Sequence, residues 1–205
     1  MTGLILKDLL NLKKQLKIYI IYIIFYCILF YSSDNFGMLS GMIIMFAVMI
    51  PITAMGYDEK DKWDIYALTM PVSRNELVLS KYVVGLIFLF SSFIITLFLG
   101  LLYDRSMFKE NILISLVVLS AGMILIAVLF PIFFKYGVEK GRTFMMLILF
   151  IPIAALIFAS KLGFKLHGVE ESELIAFFHW LPIISVAVLA VSVLISISIY
   201  RRKEF

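Results

Sequence analysis

YDEKDKWDIYALTMPVSRNELVLSKY, residues 57–82, is the only long run in this chain that mixes charges of both signs. Apolar runs flank it, at 36–56 before and 82–102 after. A membrane span needs about 20 predominantly apolar residues, so the charged run reads as the connection between two membrane-crossing helices. Four further runs, at 16–33, 112–134, 143–160 and 180–200, bring the expected number of spans to six. The 205 residues are 63% hydrophobic and 16% charged, with a mean hydropathy of +1.07, far from the composition of a soluble domain. The expected fold is an all-α integral membrane protein, one transmembrane domain over residues 1–205, with a cytoplasmic connection at 57–81.

Residues 1–16 are expected to form an amphipathic helix lying on the membrane surface. Ile5, Leu9, Leu12 and Leu16 share one face, with Lys7, Asn11 and Lys14 opposite. The segment is too charged, and lacks the small-residue cleavage site, for a signal peptide. Lys17 must snorkel for the first span to cross.

Orientation follows from the basic residues. With both termini cytoplasmic, the inner side holds Lys7, Lys13, Lys14, Lys17, Lys60, Lys62, Arg74, Lys81, Lys135, Lys140, Arg142, Arg201, Arg202 and Lys203. The outer side holds Arg105, Lys109, Lys161 and Lys165. The bias also accounts for the net charge of +4 without a nucleic-acid partner.

The spans carry no acidic, basic or histidine side chain at depth, which argues against proton-driven transport and voltage sensing. No H-E-x-x-H, paired C-x-x-C or phosphate-binding loop occurs, and no catalytic residues are assigned. His167 and His179, with Glu170, Glu171 and Glu173 nearby, read as a solvated outer loop rather than a metal site. Cys27 reads as a small buried hydrophobe. Pro51, Pro131, Pro152 and Pro182 interrupt spans, as static kinks or as bends for a moving transporter.

Within the second span Met38, Met42, Met45 and Met49 repeat at 4, 3 and 4 residues and form one stripe. Thioethers suit a surface that accepts varied greasy ligands, so the stripe is a candidate cargo-path or dimer face, with packing or lipid contact the alternative. Gly37 and Gly41 add a G-x-x-x-G at the outer end.

The opening stretch is helical in period from residue 58 to 70, with two apolar sides. Trp63, Tyr66, Ala67 and Met70 share one, and Ile65 and Leu68 point the other way. A helix resting on a membrane needs one apolar face, so the second suggests a protein partner. Pro71 ends this helix, and Ser73 with Glu76 forms an S-x-x-E capping box that starts the next. The expected product is a short helix, a rigid corner and a span, a lever into the membrane. The inner connection is far below the roughly 50 residues of a small domain, so any ATPase must be another chain.

The segment resembles the first cytoplasmic loop of bacterial type-2 ABC exporter permeases, especially the short permeases of phenol-soluble modulin exporters. Lys62, Trp63 and Asp64 stand in its acidic-basic stretch, followed by Met70, Pro71, Val72, Ser73 and Arg74 for an "LPVSR" element, then Ser80, Lys81 and Tyr82. Thr69 and Met70 depart from the Ser and Leu frequent there. The resemblance implies a coupling helix docked on a cytoplasmic ABC ATPase that binds ATP and Mg, through Asp58, Lys62, Trp63, Ile65, Tyr66, Leu68, Met70, Pro71, Ser73, Arg74 and Glu76. The shorter inner loop, with Lys135, Tyr136, Glu139 and Lys140, would be the second contact. It further implies pairing with a second permease, the same chain or a sister subunit, in the bacterial cell membrane, and export of amphipathic or antimicrobial peptides or other hydrophobic cargo. The alternative is a membrane-embedded substrate-binding subunit of a vitamin uptake system, although the first span has no alanine for that class's A-x-x-x-A contact.

Overall fold

The computed structural model describes residues 1–31, 35–103, 107–161 and 171–203, and in chain order these form α1 (Thr2–Tyr31), α2 (Phe36–Lys60), α3 (Trp63–Leu68), α4 (Arg74–Tyr103), α5 (Phe108–Tyr136), α6 (Val138–Lys161) and α7 (Glu171–Arg201). No strand occurs among the described residues. α2, most of α4, α5 and Trp180–Arg201 within α7 are long and apolar enough to cross a membrane. The described apolar part of α1, Gln15–Leu29, is shorter than such a span. Each of the six apolar runs nevertheless falls on a separate long helix as far as its residues are described, the first on α1 up to Tyr31, because an apolar run without water must satisfy its backbone internally. Pro51, Pro131 and Pro182 sit within helices that continue past them.

One expectation is corrected at the N-terminus. Residues 1–16 do not form a separate surface helix: α1 runs unbroken through Tyr31. Leu4, Asp8 and Leu12, spaced four residues apart, are buried, with Ile5, Leu16 and Tyr19 packed beside the lower core. Nothing in 12–20 breaks the helix, since Gly and Pro are both absent there.

α5 is the centre of the bundle and packs against α7, α4, α2 and α6. Its buried side chains include Ile126, Leu129, Phe130 and Phe133. An aromatic row crosses the core from Tyr82 to Phe130 (4.9 Å between centroids), Phe134 (6.4 Å) and Tyr200 (5.7 Å). Buried hydroxyls are paired: Tyr82 Oη lies 2.7 Å from Ser192 Oγ and 2.8 Å from Ser196 Oγ, and Ser192 donates to the Ala127 carbonyl at 2.5 Å. Gly122 lets α2 and α4 close on α5, since a Cβ there would stand 2.6 Å from Ile44 and 2.9 Å from Leu89. Within this chain a Cβ on Gly41 would meet nothing described within 4 Å, and one on Gly37 only ordinary neighbours.

Both ends of the described chain meet at one end of the bundle. The Met1 amine lies 3.9 Å from Glu76, Arg74 donates to the Arg201 carbonyl at 2.6 Å, and Arg201 Nε donates to Asn75 at 3.0 Å.

Candidate functional site

The charged stretch folds as two helices with a break, not as one period from 58 to 70. α2 continues to Lys60, so Asp58 belongs to it, and Lys62 takes a left-handed backbone (φ 50°) that turns the chain into α3. Such a φ is costly for a residue with a side chain and persists where the surroundings fix it. Here Asp61 N donates to the Tyr57 carbonyl and Lys62 N to that of Glu59.

Asp58 points inward, into a group of charges that sequence reading did not assemble. Lys81 Nζ donates to both Asp8 oxygens at 2.7 and 2.9 Å and to Asp58 Oδ2. Lys7 Nζ lies 2.6 Å from Asp58 and 3.1 Å from Asp8. Two carboxylates and two ammoniums thereby tie α1, α2 and α4 together, with Asp8 only 1% exposed. Buried charges persist when each is paired and hydrogen-bonded. Lys7 also sits 4.2 Å above the Trp63 ring, which links this group to α3.

The two sides of α3 differ from the expected grouping. Ala67 is fully buried, and Trp63 and Leu68 pack against the core around it. The outward side carries Tyr66, Ile65 and, just past the helix, Met70, which are 63%, 49% and 47% exposed. Trp63 was expected beside Tyr66 and Met70, and Leu68 beside Ile65; the placement of Ala67 decides otherwise, because the small residue lets the helix sit close on the bundle. Lys62 and Pro71 are exposed.

The corner forms as its sequence dictates. α3 ends at Leu68 and α4 starts at Arg74. Ser73 N donates to Glu76 Oε2 at 2.9 Å and Glu76 N to Ser73 Oγ at 3.3 Å, both halves of a capping box. Asp64 anchors the other flank, 3.8 Å from Lys203. Burial raises the Asp64 carboxyl above its ordinary value, with the Lys203 charge opposing.

A second corner joins α5 to α6 through Gly137, whose φ of +80° a side chain would strain. Glu59, at the end of α2, accepts from Val138 N and so caps α6. A Cβ on Gly137 would fall 2.5 Å from the same carboxylate. Lys135, Tyr136, Glu139 and Lys140 are exposed here, with Tyr136 stacked on Phe144 at 5.1 Å. Glu59 therefore joins the two loops, a role its sequence position did not disclose.

In the methionine stripe Met38 and Met45 are exposed, and Met42 and Met49 half-buried. Met45 and Met49 form a ridge between two apolar cavities, of about 340 Å³ toward α1 and about 240 Å³ toward α5. His167 and Glu170 lie outside the described residues. Among the described residues no group of three His, Cys, Asp or Glu side chains could hold a metal.

Among known families, the model described as ABC-2 family transporter protein matches residues 3–201. No curated protein and no solved structure matches the chain.

Proposed function

The chain belongs to the ABC-2 transporter family and is the membrane permease subunit of an ABC transporter, and from that premise we propose that it is an exporter permease whose α3 receives a separate ATPase. The observation that carries this reading is the division of α3. Its Trp63, Ala67 and Leu68 side is fixed to the bundle, while Ile65, Tyr66 and Met70 stand exposed at the charged end. Exposed clustered apolar side chains on a polar surface mark a contact for another protein. The α5–α6 corner, with Lys135, Tyr136, Glu139 and Lys140, adds a second contact.

In this reading ATP and Mg are bound and hydrolysed on the ATPase, and this chain moves in response. α1 and α6 join the other four as spans: their apolar runs at 16–33 and 143–160 correspond in length to about 27 Å of helix, near a core of about 30 Å, with Lys17 snorkelling at the end of the first. In this reading the shared end of the bundle, with both termini, faces the cytoplasm of a bacterial cell, which the concentration of lysine and arginine there supports. Two permeases, alike or sister subunits, pair in the membrane. The cargo is an amphipathic peptide or other hydrophobic compound, as the likeness to phenol-soluble modulin exporters suggests.

Co-expression with a candidate partner ABC ATPase tests the reading. Ile65→Ala, Tyr66→Ala and Met70→Ala combined should abolish copurification of the ATPase while membrane yield of the permease is unchanged. Full copurification of the triple variant contradicts it.

A further inference from the structure

The stripe on α2 does not stop at Met49. At the same spacing it continues through Thr53, Gly56 and Lys60, in steps of four and three that keep to one face. Along that face the chemistry passes from thioether to hydroxyl to ammonium. Two cavities lie beside it. The one of about 340 Å³ is apolar and lies between α1 and α2, walled by Ile18, Tyr22, Met42, Met45 and Met49. The other, about 610 Å³, lies toward the termini and is lined by Thr53, Lys60, Glu59, Glu139 and Arg142. Gln15 lines both. Its Nε2 donates to Tyr57 Oη at 2.7 Å, and its buried Oε1 has no hydrogen-bond partner among the described residues.

We infer that these two spaces form one binding site for a single-chain zwitterionic amphiphile, with its hydrocarbon chain in the methionine-aromatic cavity and its headgroup in the polar one. The inference rests on the membrane placement of α1 and α2 in the function proposed above, but not on the identity of the cargo. The apolar part is a half-open groove walled by aliphatic, aromatic and thioether side chains. A single hydrocarbon chain fits, against side chains flexible enough to follow it.

Charge selects the headgroup. Arg142 and Lys60 offer donors to a phosphate, with Arg142 able to bind it through two parallel N–H groups. Glu139 offers a carboxylate to an ammonium, and Glu59 shares its own with Val138 N. A purely anionic headgroup would meet these two carboxylates unpaired, and a purely cationic one the two bases. Gln15 Oε1 lies where chain and headgroup join, and a hydroxyl at that point of the ligand would satisfy the buried acceptor.

The full-length permease in lipid nanodiscs tests this, with lysophosphatidylethanolamine carrying a diazirine at the chain end as probe and mass spectrometry to map the adducts. The expected result is saturable labelling on Tyr22, Met42 or Met45 that unlabelled lysophosphatidylethanolamine displaces. Arg142→Gln should weaken capture about tenfold, the loss of one charge-assisted hydrogen bond. Met45→Trp should occlude the cavity. A long-chain alcohol with the same diazirine, lacking the headgroup, should label no more there than at lipid-facing Ile94 or Leu194, which are 65% and 68% exposed. Labelling spread evenly over Ile94, Leu194 and the cavity overturns the proposal, as does capture indifferent to both Arg142→Gln and the headgroup. ATPase copurification with the unsubstituted permease separates the two proposals: no docking with intact capture counts against the function alone, and intact docking with unspecific labelling against this site alone.

Discussion

Lys81 is the residue on which three helices converge, through Asp8 of α1 and Asp58 of α2. Removing it leaves two carboxylates buried with only Lys7 to answer them, and breaking a buried pair from one side costs about 3 kcal/mol or more. Lys81→Ala should therefore lower the detergent-solubilised melting temperature sharply, whereas Lys62→Ala, at an exposed charge, should leave it within a degree or two. Asp64 behaves oppositely. Its carboxyl is raised by burial, so folding disfavours the ionised form, and the unfolded chain releases the proton more readily. The sign of linkage then makes stability fall as pH rises through the carboxylate range. Asp64→Asn should be at least as stable as the parent at pH 7 by thermal denaturation, and the difference should close as pH approaches about 4. None of this pairing was legible from the sequence. Asp8 and Lys81 lie 73 positions apart, Lys7 and Asp58 lie 51 apart, and each residue alone looks like the solvated charge that surrounds most membrane spans.

α3 shows how far helical period carries a reading and where it stops. The corner after it was legible, because a capping box and a proline act over three or four residues and need no tertiary partner. The helix itself was located only approximately, since the left-handed Lys62 that divides it from α2 has no signal in its residue type. Which apolar side faced inward was not legible either: both sides carry large hydrophobes, and the decision fell to Ala67, whose burial depends on the shape of the bundle beneath it. The consequence is measurable. Trp63→Ala removes a ring packed under Lys7 and against the core, and should lower permease yield or melting temperature together with ATPase binding. Tyr66→Ala should spare both properties of the permease and weaken ATPase binding alone, by about 2 kcal/mol or thirtyfold in affinity if it is a central anchor. Equal thermal destabilisation by the two substitutions would contradict the assignment of their sides.

At the scale of the molecule, apolar run length found all six long helices, because hydrocarbon admits few backbone solutions. It misread the N-terminal segment, where charges on one turn of a long helix resembled a surface helix but pack in part against α2 and α4. The shared end of the bundle should be cytoplasmic: a cysteine placed at Ser73 should resist an impermeant maleimide in intact cells and one at Ser172 should react, and the reverse pattern contradicts the orientation. The central claim, that the outward side of α3 meets the ATPase, is tested most directly by a photo-crosslinking amino acid placed singly at positions 62–70, 94, 136, 139 and 140 in the co-expressed complex. The account predicts ATPase adducts from 65, 66 and 70, weaker ones from 136, 139 and 140 at the second corner, and none from 67 or from lipid-facing 94. ATPase adducts absent from 65, 66 and 70, or no stronger there than from 94, would contradict it.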